Sequence, residues 1–250
     1  MKGTAFITGA TSGFGEAISR LLAKNGYKLI LLGRREEKLK ALANELGYEN
    51  IYTMTLDIRD KSRVFEAVKS IPEKFSDIEI LVNNAGLALG QDSFIDALLE
   101  DFETMIDTNI KGLIYITKAV LPIMKDRKSG YVFNLGSVAG NWPYPGSNVY
   151  GATKSFVRQL SFNLRNDLKG TNIRVTNIEP GIAKTEFSMV RFKGDQVKAD
   201  SVYENTEYLR AEDIATIVLN CINMPSRANI NSVEVMATTQ TWAGLFIDKK

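Results

Sequence analysis

With 250 residues, 44% of them hydrophobic and 24% charged, the chain has the size and make-up of one ordinary globular domain with a full core. Lys and Arg number 31 against 29 Asp and Glu, and a net charge of +2 gives no electrostatic case for nucleic acid or an anionic membrane surface. Histidine is absent and Cys221 is the one cysteine, which excludes Ser-His and Cys-His nucleophile pairs, His-ligated or Cys-rich metal sites and an intrachain disulfide.

Acid–base chemistry near neutral pH therefore falls to Tyr, Lys, Asp or Glu, and no metal is expected. No stretch approaches the ~20 apolar residues of a membrane span. Met1-Lys2-Gly3 leads straight into a strand without a signal-peptide pattern, so a cytoplasmic location is expected.

The first strand is expected at 4–8 and the first helix at 13–25. Between them runs Thr8-Gly9-Ala10-Thr11-Ser12-Gly13-Phe14-Gly15. Glycines 9, 13 and 15 allow a tight turn and close approach of backbone to a pyrophosphate, and the helix N-terminus offers free N–H groups to an anion. A simple turn is the plainer reading of three glycines; their place between strand and helix favours dinucleotide binding. The second strand, 27–32, ends in Gly33-Arg34-Arg35 before a helix at 36–46. An NAD site usually carries an acid here for the ribose hydroxyls, whereas two guanidinium groups suit a 2′-phosphate and so NADP(H). A basic first turn on a solvated helix is the alternative.

A strand at 51–57, a helix at 61–71 and a strand at 80–83 follow, then a long helix at 99–128. In that helix Asp101, Glu103 and Asp107 read as a solvated or capping face, and Met54, Met105 and Met124 read as core. A fifth strand at 131–136 leads into Ser137, a helix at 148–169 carries Tyr150 and Lys154, and a sixth strand spans 173–179. The segment 185–208 lacks a clear period and is either a surface excursion or a lid, because it follows a strand's carboxyl end. A helix at 211–223, with Cys221 on its apolar face, and a strand at 233–237 close the chain. Apolar runs at 29–32 and 78–82 suggest strands covered on both faces. The β-α alternation predicts one α/β domain over 1–250, a Rossmann-type doubly wound, mainly parallel seven-stranded sheet.

With nine Tyr in the chain, chance accounts for about one Tyr followed four residues later by Lys. The pair occurs once, at Tyr150 and Lys154, where a helix should begin and where the spacing puts both on one face. A nearby ammonium is expected to lower the Tyr150 pKa toward working pH, making it a proton donor or acceptor. Ser137 is either a turn serine or a hydroxyl that polarises the same carbonyl.

The glycine spacing at 8–15, Asn83-Asn84-Ala85-Gly86, Asn109, Ser137, Tyr150-x-x-x-Lys154 and Pro180-Gly181 resemble, in order and spacing, the short-chain dehydrogenase/reductase family over essentially the whole chain. The resemblance implies hydride transfer by a tetrad of Asn109, Ser137, Tyr150 and Lys154, with Asn109 linking Lys154 to solvent through water. It implies cofactor contacts at Gly9, Thr11, Ser12, Gly13, Phe14, Gly15, Arg34, Arg35, Asp57, Ile58, Asn84, Tyr150, Lys154, Pro180, Gly181, Ile182 and Thr185. Gly86-Leu87-Ala88-Leu89-Gly90, Trp142-Pro143-Tyr144, Thr185-Glu186-Phe187-Ser188, the run 190–195 and the tail from Trp242 look like the NADP-dependent 3-hydroxy acid dehydrogenase branch. That branch acts on serine, allo-threonine or 3-hydroxy acids, or on malonic semialdehyde in reverse; a sister group reduces sulfoacetaldehyde.

Ser137, Tyr150 and Arg191 are the expected substrate contacts, with Arg191 as anchor for a buried carboxylate and Lys193 as its rival. A non-catalytic NADP-sensing regulator would be expected to lose Tyr150 or Lys154, and a ketoacyl-carrier reductase to show a basic docking surface. Apolar helices around Leu113 and Phe156 and an edge strand at 233–237, covered by Trp242 and Phe246, predict a homotetramer or dimer.

Overall fold

Strands that are apolar at every position need cover on both faces, and the computed structural model, which describes residues 2–242, supplies it. The seven strands are β1 (Thr4–Thr8), β2 (Lys28–Gly33), β3 (Ile51–Thr55), β4 (Ile78–Asn83), β5 (Gly130–Leu135), β6 (Ile173–Pro180) and β7 (Ser232–Val235). They form one parallel sheet in the order β3-β2-β1-β4-β5-β6-β7. The helices are α1 (Gly13–Lys24), α2 (Glu36–Leu46), α3 (Lys61–Lys69), α4 (Leu99–Ile106), α5 (Leu113–Asp126), α6 (Asn148–Asp167), α7 (Phe187–Arg191), α8 (Gln196–Ser201) and α9 (Ala211–Asn223).

The period-2 alternation of side chains divides the core into two layers. Leu29 and Leu31 of β2 join Ile18, Leu22 and Val218 on one face, while Ile30 and Leu32 join Val64, Val120 and Met124 on the other. Cys221 and Met54 are core residues as expected, and Met105 is buried in a smaller cluster with Tyr150. Strand order reverses between β1 and β4, which opens a crevice above the carboxyl ends of the strands.

One expectation is corrected. The helix expected at 99–128 is broken by a π-helical segment, Asp107–Gly112, whose wider turn shifts the phase of everything after it. Around Leu113, which is itself buried, Ile106 and Ile114 are partly exposed. The loop and first turns before that segment expose Phe94, Ile95, Leu98 and Leu99. The segment 185–208 is structured by two short helices, α7 and α8, and tied back by an Ala183–Leu209 bridge.

At the sheet edge, the Glu234 carboxylate of β7 accepts from Trp142 Nε1 (2.8 Å) and Trp242 Nε1 (3.0 Å), so the tail reaches β7 as expected. Phe246 lies outside the described residues. No helix among the described residues is long and apolar enough to cross a membrane.

Candidate active site

A cleft of about 520 Å³ runs along the carboxyl ends of the strands, from the phosphate loop and the end of β2 to the start of α6 and the 185–208 segment. At its centre the loop after β1 turns through Gly9 (φ +63°) and Gly13 (φ +52°), a conformation that costs glycine little. Gly15 shows why the third glycine is needed: a Cβ there would lie 2.3 Å from the Gly9 carbonyl oxygen. Gly15 therefore shapes the cradle without lining it, whereas Gly9, Thr11, Ser12, Gly13 and Phe14 face the cleft. Asn84 knits this loop to β4, donating from Nδ2 to the Thr8 and Gly9 carbonyls at 3.0 and 3.1 Å. Pro180, Gly181, Ile182 and Thr185 line the opposite wall.

At one end stand Asp57, Ile58, Arg34 and Arg35. Arg34 is 63% exposed at its side chain and, among the described residues, approaches one carboxylate, Asp57, at 4.0 Å. Burial works to raise the Asp57 pKa, but the Arg59 guanidinium, bonded to both carboxylate oxygens, holds it below the ordinary value. Arg35 turns back instead, donating to the Thr11 carbonyl at 3.0 Å and to Glu186 at 2.7 Å. Position 33 is tight rather than closed: a Cβ on Gly33 would press the Thr11 methyl at 3.0 Å, which would have to give by a few tenths of an ångström.

At the other end Ser137, Tyr150 and Lys154 share the cleft wall. Lys154, almost fully buried, donates from Nζ to the Leu135 carbonyl at 2.7 Å and sits 5.9 Å from the Tyr150 ring centre. Burial pulls its pKa down to about 8. Burial also pushes the Tyr150 phenol above its ordinary value, with the Ser137 hydroxyl and Arg191 acting in the opposite sense. The expected lowering of Tyr150 by Lys154 is thus overridden, because the ammonium is directed at a backbone carbonyl and desolvation dominates.

Asn109 is buried in the π-helical segment and lies outside the cleft lining. Its Nδ2 donates to Leu87 O (2.8 Å) and Thr153 Oγ1 (3.0 Å), and its Oδ1 accepts from Leu87 N (2.9 Å). It reaches toward Lys154 across Gly86, where a Cβ would meet Asn109 Oδ1 at 3.2 Å and Lys154 Nζ at 3.5 Å.

Above Tyr150, α7 brings in Arg191. Its Nε donates to the Gly90 carbonyl (3.0 Å) and Nη2 to the Tyr144 hydroxyl (3.2 Å), and its guanidinium lies 5.8 Å from the Tyr150 ring. Lys193 is not part of the cleft and pairs with Asp101 at 2.8 Å. Among the lining residues that sequence reasoning left without a role are Tyr144, Glu186 and Tyr203, whose hydroxyl lies 2.6 Å from Ser188 Oγ. Tyr144 and Glu186 fall within stretches singled out on resemblance; nothing local marked Tyr203.

The short chain dehydrogenase family model matches residues 3–196. An NADP-dependent 3-hydroxy acid dehydrogenase of Salmonella typhi is 56% identical over 244 residues, 97% of this chain and 98% of its own. Sulfoacetaldehyde reductase 2 of Chromohalobacter salexigens is 49% identical over 251 residues, covering 100% of both chains. The closed form of a serine dehydrogenase complexed with NADP+ superposes with a TM-score of 0.97 at 52% identity, over 99% of this chain and 100% of that one.

The depressed Lys154 pKa is a stability cost. Below about pH 8 the lysine is charged in both the folded and unfolded states, and the fold bears the whole desolvation penalty. As pH rises toward the unfolded value of ~10.5, folded Lys154 is already neutral and the penalty fades. Lys154→Met is expected to stabilise the free protein by about 1–3 kcal/mol at pH 7, less near pH 10. Urea denaturation of both proteins at the two pH values measures this, and a pH-independent difference refutes it.

Proposed function

The chain belongs to the short chain dehydrogenase family, and from that premise we propose that it is an NADP-dependent oxidoreductase acting on the hydroxyl or carbonyl carbon of small 3-hydroxy acids. The observation that carries this reading is the convergence of Ser137, Tyr150, Lys154 and Arg191 at one end of a cleft whose other end presents Arg34. The residues fit the cofactor: the glycine turn brings the N-terminus of α1 to the cleft, and the end of β2 carries Gly33 followed by Arg34 and Arg35 in place of the acid an NAD site would hold.

When bound, NADP(H) supplies or accepts the hydride. Tyr150 gives its phenolic proton to the substrate oxygen in reduction and takes the hydroxyl proton in oxidation. Burial that raises the phenol keeps it protonated, as a donor needs, and Lys154 and Arg191 lie on hand to stabilise the phenolate that remains. The Ser137 hydroxyl holds the same oxygen as charge develops. Asn109 fixes the 87–88 loop and the start of α6 and so positions Lys154. Arg191 offers its remaining edge to the substrate carboxylate, and a sulfonate matches the same fork, which keeps sulfoacetaldehyde as the second reading. A cofactor-sensing regulator has no need of Tyr150 and Lys154, both of which are present.

Self-association as a homotetramer or dimer is supported by the exposed Phe94, Ile95, Leu98 and Leu99 beside Ile106 and Ile114. Light scattering at micromolar concentration is expected to give a mass of at least a dimer; a monomer mass contradicts it.

Turnover followed at 340 nm with 3-hydroxypropionate, serine, sulfoacetaldehyde and an acetoacetyl thioester tests the activity. Tyr150→Phe is expected to bind NADPH as the native protein does while kcat falls at least ~100-fold. Retained kcat means another group moves the proton. Arg191→Ala is expected to raise KM for the acids about 10–100-fold with little change for a neutral aldehyde of similar size. An equal loss on both makes Arg191 a lid residue instead of an anchor.

A further inference from the structure

Arg34 and Arg35 are neighbours in sequence with different surroundings. Arg34 has no hydrogen bond among the described residues, and its nearest carboxylate is 4.0 Å away. Arg35 has every guanidinium nitrogen engaged. Nε and Nη2 donate to the Thr11 hydroxyl (3.3 and 3.1 Å), Nη2 to the Thr11 carbonyl (3.0 Å), and Nη1 to Glu186 Oε2 (2.7 Å). The other oxygen of Glu186 accepts from Lys38 Nζ at 2.7 Å, so one carboxylate is gripped by two cations from the same end of α2.

Glu186 is the residue before α7, and α7 ends in Arg191. Thr185, just ahead of it, lies against the phosphate loop, where a Cβ on Gly13 would meet the Thr185 Cβ at 3.1 Å. The start of the 185–208 segment is therefore fastened to Thr11 through Arg35, at the end of the cleft away from Tyr150. A single half-exposed ion pair holds little, but here a carboxylate shared by two cations is combined with three bonds to one threonine. A phosphate dianion competing for Arg35 would have to displace Glu186, whereas Arg34 needs no displacement.

We propose that Arg35, Glu186 and Lys38 form an ionic latch that fastens the lid to the phosphate loop, and that the grip on the cofactor's 2′-phosphate falls to Arg34. The assignment of the phosphate rests on the NADP reading above; the latch itself does not. Arg35 and Glu186 are positioning residues: they set where α7, and with it Arg191, stands over the substrate end.

Two measurements on the free protein separate the roles. Limited trypsin digestion reads the lid, which offers Arg191, Lys193 and Lys198 as cleavage sites. Glu186→Gln is expected to be cut there about 3- to 10-fold faster than the native chain at low salt. Raising the salt to about 0.5 M is expected to bring the native chain toward the variant's rate while leaving the variant unchanged, because a half-exposed ionic latch is screened. Calorimetry with 2′,5′-ADP reads the phosphate grip. Arg34→Asp is expected to weaken binding about 10–100-fold, and Glu186→Gln and Arg35→Ala to stay within about 3-fold of native. Equal lid cleavage in Glu186→Gln and the native chain overturns the latch. A loss in Arg35→Ala as large as in Arg34→Asp overturns the division of labour. Failure of the native protein to bind 2′,5′-ADP strikes the NADP reading, and the digestion then decides the latch by itself.

Discussion

The close seating of α6 on the turn after β5 is the contact from which the reacting end of the cleft follows. A Cβ on Gly140 would lie 2.8 Å from the Lys154 carbonyl carbon, and one on Gly151 would lie 2.9 Å from the Ala139 oxygen. Backbone meets backbone here with no side chain between. That approach drives Lys154 under the cleft floor, where its ammonium finds the Leu135 carbonyl and no carboxylate. It also brings Tyr150, one turn earlier on α6, level with Ser137. The buried, under-compensated cation is a stability cost the fold accepts for the sake of placing a charge beside the phenol.

The two ends of the cleft are built on opposite electrostatic terms. Around Arg34, Arg35 and Lys38 the charges are half-exposed, screened and exchangeable, which suits a ligand that must come and go. Around Lys154 and Tyr150 desolvation outweighs every pairing, and both groups shift toward their neutral forms. Under the proposed function this leaves Tyr150 a neutral proton donor, with Lys154 paired to a carbonyl in place of a carboxylate.

Features set by short-range sequence were legible. The glycine loop, the Tyr150–Lys154 spacing and the strand alternation each depend on residues a few positions apart, and all seven strands fall within a few residues of the expected bounds. The π-helical turn was not legible, because Asp107, Thr108, Asn109 and Lys111 fit the solvated face of one continuous helix by spacing alone. The Tyr150 pKa was misjudged for a related reason: spacing reports proximity to a cation and says nothing of how dry the surroundings are. Glu186 was invisible as a partner because its contact with Arg35 spans 151 positions of sequence.

The register of the 185–208 segment shows the same limit from the functional side. Arg191 could be singled out as a cation in an aperiodic segment, but Lys193 two residues on was equally eligible by composition. Folding separates them through long-range contacts. Gly90 and Tyr144 take Arg191 into the cleft, while Asp101 of α4 takes Lys193 out of it. The left-handed backbone of Lys193 (φ +52°) and Gly194 (φ +91°), just past the end of α7, turns the chain away at that point. The Arg191 guanidinium lies 5.7 Å from the Tyr144 ring centre and 5.8 Å from that of Tyr150, with Nη1 outside the hydrogen bonds it makes among the described residues. Under the proposed function, a substrate carboxylate would meet a cation that Gly90 and Tyr144 already orient, so the orientation would precede binding.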